Sequence, residues 1–266
     1  MPGFRTVVTA DRDVAILVRG SVTAQDIAYT DSTLTRLLRS IPAAGHVRVK
    51  LAEYHSSDRD PLAVVQVNVE LDGRLVRSQS TAGVLSLAVD RVASSLATRI
   101  RRLQRRLAAD EIGPPSFGDE PWDRRAARAP AQAVKAKSTA RRITRHKAFP
   151  LAVQDRGAAT LALDLRDYDF HLFVEDVSGQ DTVVVRGGAA GFRLAAARPE
   201  LLPPGSAGVP GPDRPDRLPA LTVPEAVRLL DTRHATFLAF AGIGSSRAIV
   251  LYRRFDGDLG VVTSLW

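Results

Sequence analysis

The 266-residue chain contains no cysteine. That excludes a disulfide framework, thiolate metal sites and cysteine nucleophiles, and it suits a reducing compartment. Aromatic residues are sparse at 6%, and residues 1–108 hold only Phe4, Tyr29 and Tyr54. Stacking of unpaired bases on an aromatic sheet is therefore not expected in that region. No apolar run approaches the roughly 18 residues that span a bilayer. The start, Met1-Pro2-Gly3-Phe4-Arg5, has no basic stretch followed by an apolar one and is not read as a secretory signal. A cytoplasmic protein without membrane contact is expected.

Reaction chemistry is also missing. The five histidines are His46, His55, His146, His171 and His234. No two have the spacing of a metal-binding pair, and none sits beside a carboxylate cluster of ligand type. No Gly-x-Ser-x-Gly nucleophile elbow occurs. Gly242-Ile243-Gly244-Ser245-Ser246-Arg247 has two glycines of a phosphate-binding loop but not its ending, and it falls between two expected strands. It reads as a hairpin turn. No catalytic residue, metal or cofactor is expected.

What is present is a localised surplus of positive charge. The formal net charge is +8. Residues 1–98 carry a net of +1, residues 99–147 a net of +9, and residues 148–266 a net of −2. A basic segment flanked by near-neutral ones fits a polyanionic partner, most often nucleic acid. The plain alternative is a solvated linker in an arginine-rich chain.

Hydrophobic periodicity divides the chain. Residues 14–19 read as a strand, and Thr23 to Ser40 as a helix stopped by Pro42. Residues 47–51 and 65–71 alternate as strands, Asp72-Gly73 marks a hairpin, and Leu75 to Gln79 return. Residues 84–108 are the clearest helix. Leu85, Val89, Val92, Leu96, Ile100, Leu103 and Leu107 form one stripe. Arg91, Arg101, Arg102 and Arg105 lie opposite it, and Arg99 and Arg106 flank it. The order predicts an α+β domain, β-α-β-β-β-α, with two helices on one face of the sheet. The other face then carries Arg48, Lys50, Gln66 and Asn68.

Residues 109–142 lose periodicity and read as a basic flexible linker. A Pro-rich linker covers 198–218. The segments around that second linker repeat each other. A shift of 67 residues superposes Ala159, Leu163, Asp164, Arg166, Phe170, Phe173, Ser178, Val183 and Arg186 on Ala226, Leu230, Asp231, Arg233, Phe237, Phe240, Ser245, Val250 and Arg253. Nine ungapped identities indicate two tandem copies, 143–197 and 219–266. Each reads as a short helix followed by three strands. In Phe-x-x-Phe the rings fall on opposite strand faces, so one meets the copy's own helix and the other meets something else. A unit of about 45 residues is too small to be secure alone. The tether gives each copy a high effective concentration for the other.

Several segments resemble the long form of the ribosome hibernation promoting factor, and most closely the actinobacterial kind. Ala88-Val89-Asp90-Arg91-Val92 through Leu107 is similar to that family's second N-terminal helix. Ala226 to Leu230, Phe237-Leu238-Ala239-Phe240, and Val250 to Val262 with Tyr252-Arg253-Arg254 are similar to its C-terminal blocks. Residues 145–149 and the first copy resemble a more divergent version of that domain. The resemblance implies an RNA-binding translation inhibitor in the decoding channel of the 30S subunit. There it blocks mRNA and tRNA and stabilises idle ribosomes during stress or dormancy. It also implies that Arg48, Lys50, Arg91, Arg99, Arg101, Arg102, Arg105 and Arg106 contact 16S rRNA. In the family a single C-terminal domain dimerises and joins two 70S ribosomes. The duplication here departs from that pattern. The expectation is that the two copies pair within one chain through Phe170, Phe173, Val183, Phe237, Phe240, Val250 and Tyr252. Pairing between chains through the second copy alone is the alternative. The alternative to a ribosomal partner is another RNA- or DNA-binding stress regulator that uses the same basic helix.

Overall fold

The computed structural model describes residues 5–8, 14–41, 44–56, 59–108, 141–187, 191–204, 215–255 and 257–265. Residues 109–140, most of the expected basic linker, lie outside the described residues, as do 205–214 of the Pro-rich segment. The chain divides into two compact units, the first carrying most of the N-terminal half and the second the tandem copies.

In the first unit the strands β1 (Arg5–Val8), β2 (Val14–Arg19), β3 (Ala44–Ser56), β4 (Arg59–Leu71) and β5 (Arg74–Ala82) form one sheet in chain order. Only β2 and β3 run parallel. That pairing needs a crossover, supplied by α1 (Ala24–Arg39). Thr23 caps α1, and a reciprocal bond from the Thr23 amide to Asp26 closes a capping box. The hairpin at Asp72-Gly73 forms as its dipeptide requires, with φ of 48° and 70°. The edge strand β1 was not anticipated. Its four residues are too few to show periodicity, and pairing with β2 is what makes it a strand.

Alternation decides which side of this sheet is covered. Val47, Val49 and Leu51 on β3, and Val65, Val67 and Val69 on β4, are at most 2% exposed. They pack with the stripe of α2 (Leu85–Ala108), where Leu85, Val89, Val92, Leu96, Ile100 and Leu103 are all buried. The α1 side adds Leu34 and Leu38. The Tyr29 hydroxyl donates to Asp90 at 2.7 Å and ties α1 to the start of α2. Because that bond holds the phenol beside a carboxylate, Tyr29 gives up its proton less readily than usual.

In the second unit every element of one copy has its counterpart 67 residues on. Strand β7 (Val153–Gln154) precedes helix α3 (Arg156–Leu165), which is followed by β8 (Phe170–Glu175), β9 (Asp181–Arg186) and β10 (Phe192–Ala196). The second copy supplies β12 (Ala220–Leu221), α4 (Val223–Thr232), β13 (Phe237–Gly242), β14 (Ala248–Arg253) and β15 (Leu259–Ser264). Two short strands remain, β6 (Ile143–Phe149) and β11 (Asp216–Arg217), and they are exchanged. β6 opens the first copy but pairs in parallel with β15 of the second. β11 precedes the second copy but pairs in parallel with β10 of the first. Each five-stranded sheet therefore has an edge strand from the segment leading into the other copy, an arrangement like a domain swap within one chain.

Each of these sheets is covered on both faces. On one face Phe173, Val184, Phe192 and Leu194 bury against Ala159 and Leu163 of α3. Phe240, Leu251, Leu259 and Val261 repeat this against Ala226 and Leu230 of α4. On the other face the two copies share one cluster. It includes Leu172 and Val183 from the first, Ala241, Ala248, Val250 and Val262 from the second, and Leu218 at the end of the linker between them. Leu151, Phe170, Val185 and Ala195 adjoin it, as do Phe237, Ala239 and Tyr252. Leu151 matches Leu218 at the same 67-residue offset, so the contact surface is nearly self-complementary, as in a two-fold dimer.

Candidate RNA interface and the paired tail

Two sets of cationic residues in the first unit lie on opposite outer surfaces. On the sheet, Arg48 lies across from Asn68 and Lys50 across from Gln66. The same cross-strand rows continue to Arg77 and Gln79 on β5. All six side chains occupy the face that the helices leave open. The Arg77 guanidinium donates to the Gln66 side-chain oxygen at 3.2 Å and to that of Gln79. The Gln66 amide donates to Asn68 at 3.1 Å. At the far side of the sheet the Arg19 guanidinium lies 5.3 Å from the centre of the Tyr54 ring. This polar lattice presents amide and guanidinium donors on a rigid platform, suited to phosphate and ribose contacts. Gln66 and Asn68 were legible from alternation. Arg77 and Gln79 were not singled out, although the same period-two rule applied to 75–79 would have placed them.

The other surface is the outside of α2. Arg91, Arg101 and Arg105 are exposed there, and helical rise spreads them over roughly 21 Å. Arg91 is oriented by donating to the Thr81 carbonyl at 3.1 Å, and Arg101 by donating to that of Ala97 at 3.4 Å. Arg99 and Arg102 lie towards the flank, and the structure treats them differently. Arg99 is 5% exposed and Arg102 partly buried. The side chain of Arg106 lies outside the described residues. The eight arginines and lysines expected at an RNA contact thus do not form one patch. Arg48 and Lys50 share the sheet face, and Arg91, Arg101 and Arg105 share the helix face on the other side of the core.

In the second unit the two phenylalanines of each Phe-x-x-Phe part company. Phe173 and Phe240 are fully buried under their own helices. Phe170 and Phe237 meet each other with ring centroids 5.2 Å apart and planes inclined by 43°. Tyr252 adds a third ring, 6.2 Å from Phe170. Val183 and Val250 are both in the shared cluster. Arg186 and Arg253 play matching internal roles. Arg186 donates to the carbonyls of Tyr168 and Leu163, and Arg253 to those of Ala235 and Leu230. These arginines fasten the end of each helix to its strands and are not surface cations.

Among the described residues no group of three or more His, Asp or Glu side chains is placed to hold a metal. Among them too, no helix is long and apolar enough to cross a membrane. His234 has φ of 51° and ends α4 in the left-handed region, a structural position that accounts for one of the five histidines.

Comparison with known proteins supplies the remaining observations. The family described as Sigma 54 modulation/S30EA ribosomal protein C terminus matches residues 138–194, which cover β6 and most of the first copy. The chain is 31% identical over 264 residues to the dormancy associated translation inhibitor of two strains of Mycobacterium tuberculosis, spanning 94% of this chain and 88% of the relative. Among solved structures, a ribosomal subunit interface protein from Coxiella burnetii is similar at 15% identity and a TM-score of 0.30, over 35% of this chain and 97% of its own. The N-terminal domain of Thermus thermophilus Protein Y is similar at 23% identity and a TM-score of 0.27, over 33% and 93%.

Proposed function

The chain belongs to the long-form ribosome hibernation promoting factor family, and from that premise we propose that it binds the small ribosomal subunit and inhibits translation in dormant cells. It acts as a ribosome-associated cytoplasmic binding protein, and no step of its action is a chemical reaction. The first unit enters the decoding channel and competes with mRNA and tRNA for 16S rRNA. The observation that carries this reading is the exposed row Arg91, Arg101 and Arg105 on a helix whose opposite side is buried. Guanidinium groups so spaced neutralise successive phosphates, and their planar forks bind phosphate better than ammonium groups do. Arg48 and Lys50 offer the second face to the same channel. A cation-bearing layer on either side of a thin core suits a molecule enclosed by RNA.

The tail completes the reading. The two copies pair within one chain, which occupies the surface that would otherwise recruit a second molecule. The protein therefore silences 70S particles without joining them in twos. The shared cluster around Val183 and Val250 and the exchanged strands β6 and β11 support this. Sucrose gradients of 70S ribosomes with added protein test both halves. Co-sedimentation at moderate salt that fades at high salt is expected, with all material at the 70S position. A ribosome-dimer peak overturns the tail assignment, and failure to co-sediment with 30S subunits overturns the ribosomal one. The second reading, a regulator bound to other RNA or DNA, predicts equal binding to unrelated nucleic acid of the same length.

A further inference from the structure

The contact between the copies is nearly two-fold, but one buried interaction breaks the symmetry. The carboxylate of Asp181, at the start of β9, receives Nε of Arg247 at 2.7 Å and Nη2 at 3.1 Å. It also receives the backbone N–H of Ala248 at 3.1 Å. The Asp181 side chain is 5% exposed and that of Arg247 34%. Under the 67-residue correspondence Asp181 matches Ala248, and Arg247 matches Gln180. The acid exists only in the first copy and the guanidinium only in the second.

This asymmetry has consequences for every other pairing the surface could make. If two first copies met about the same axis, each Asp181 would lose its guanidinium and face a region that carries Gln180 and a second Asp181. If two second copies met, each Arg247 would face Ala248 and another Arg247 with no carboxylate between them. A buried carboxylate without its partner is strongly unfavourable, because desolvation is no longer offset. The aromatic contact is one-sided too. Tyr252 lies against Phe170, whereas the matching position in the first copy is Val185.

We propose that Asp181 and Arg247 form a pairing code that lets the first copy accept only a second copy. The inference rests on the self-pairing of the tail given under the proposed function. Specificity is a difference between the intended pair and its competitors, and here the competitors are penalised by like charge and by loss of the bidentate bond. The tether then decides which second copy is met, since the one on the same chain is present at the higher effective concentration. Together these leave no like-with-like face to bring two chains together.

Charge exchange in the full chain tests this. The wild type, D181R, R247D and the double variant D181R/R247D are compared by sedimentation velocity over a hundredfold range of concentration. D181R and R247D are also co-produced with different affinity tags. Wild type and double variant are expected to sediment as single chains of 28.7 kDa. Each single variant is expected to remain one chain but to sediment more slowly than wild type, because the reversed charge meets its like across the contact and opens the tail, while a second chain of the same variant offers no opposite charge. Co-produced single variants are expected to form a two-chain complex, since the first copy of each then meets a second copy of opposite charge on the other chain. Single variants that sediment as the wild type does, a double variant that does not recover, or co-produced chains that purify apart each overturn the code. A wild type that sediments as two chains overturns instead the self-pairing on which the code rests. Binding of 30S subunits, measured alongside, reports separately on the first unit.

Discussion

Phe170 and Phe237 occupy the same position in two copies of one motif, and their rings touch at 5.2 Å. Three residues further along each strand, Phe173 and Phe240 turn the other way and are fully buried under helices. An odd spacing on a strand thus separates two duties, the internal core of a copy and its contact with the other.

Those duties predict different losses. Phe240→Ala removes a fully enclosed ring from the core of the second copy and is expected to cost ~3–5 kcal/mol. Phe237→Ala leaves that core intact and loosens the contact between copies. Thermal unfolding followed by amide exchange separates the two. The first variant exposes the amides of β13 and β14 globally, and the second raises exchange first at the exchanged edge strands β6 and β11.

The α2 arginines predict a salt-dependent effect on binding. Arg101→Glu with Arg105→Glu changes exposed side chains opposite a buried stripe, so the circular dichroism spectrum and melting of the first unit are expected to remain unchanged. Affinity for 30S subunits is expected to fall at least about a hundredfold, and the slope of log affinity against log salt to decrease by about two. Unaltered binding would show that the helix face does not meet RNA.

The sheet face yields an independent measurement. Arg48→Glu with Lys50→Glu alters the layer on the other side of the core. If both layers meet rRNA, these variants and the α2 variants each weaken binding, and their effects add, since the sites share no partner. Wild-type affinity for the sheet variants, measured by pelleting at moderate salt, restricts the contact to the helix.

Gly260 predicts a steric effect. A Cβ at this position would lie 2.3 Å from Cζ of Tyr252 on the neighbouring strand. Gly260→Ala is expected to push the Tyr252 ring from its place beside Phe170. The variant is expected to melt at lower temperature, and Tyr252→Ala in the same chain is expected to restore most of the loss. Failure of the second change to compensate would place the strain in the backbone.

The caps predict a pH effect on one helix. Glu225 accepts from the Thr222 backbone N–H at 2.8 Å and from its hydroxyl at 2.7 Å. The backbone bond above all, with the hydroxyl, holds its carboxyl below the usual range. A lowered folded value means the cap contributes fully above the ordinary carboxylate range. That contribution is lost as pH falls through the lowered value. Glu225→Gln is expected to melt earlier at neutral pH, with the gap to wild type closing in acid. A gap that is constant with pH would show that the carboxylate charge contributes nothing to the cap.

Much of the local structure was legible because short-range periodicity carries it. The stripe from Leu85 to Leu107, the alternation at 47–51 and 65–71, and Asp72-Gly73 each encode an element within a few residues. So did the duplication, since nine identities at one offset need no fold to be seen. Strands β1, β6 and β11 were not legible in this way. They are short edge strands whose existence depends on a partner, and for β6 and β11 the partner lies in the other copy.

The sequence by itself determined that the chain is an α+β protein with an N-terminal domain, a basic middle and a duplicated tail, and it identified the arginines that face outward from α2. Only the tertiary structure decided which cations share a surface. Arg48 and Lys50 fall on one side of a core and Arg101 and Arg105 on the other, whereas Arg99 is buried despite its charge. Only the tertiary structure revealed that Asp181 meets Arg247. Side-chain period records which way a residue points along its own element, but the residue it meets depends on how distant segments pack, and no local pattern contains that.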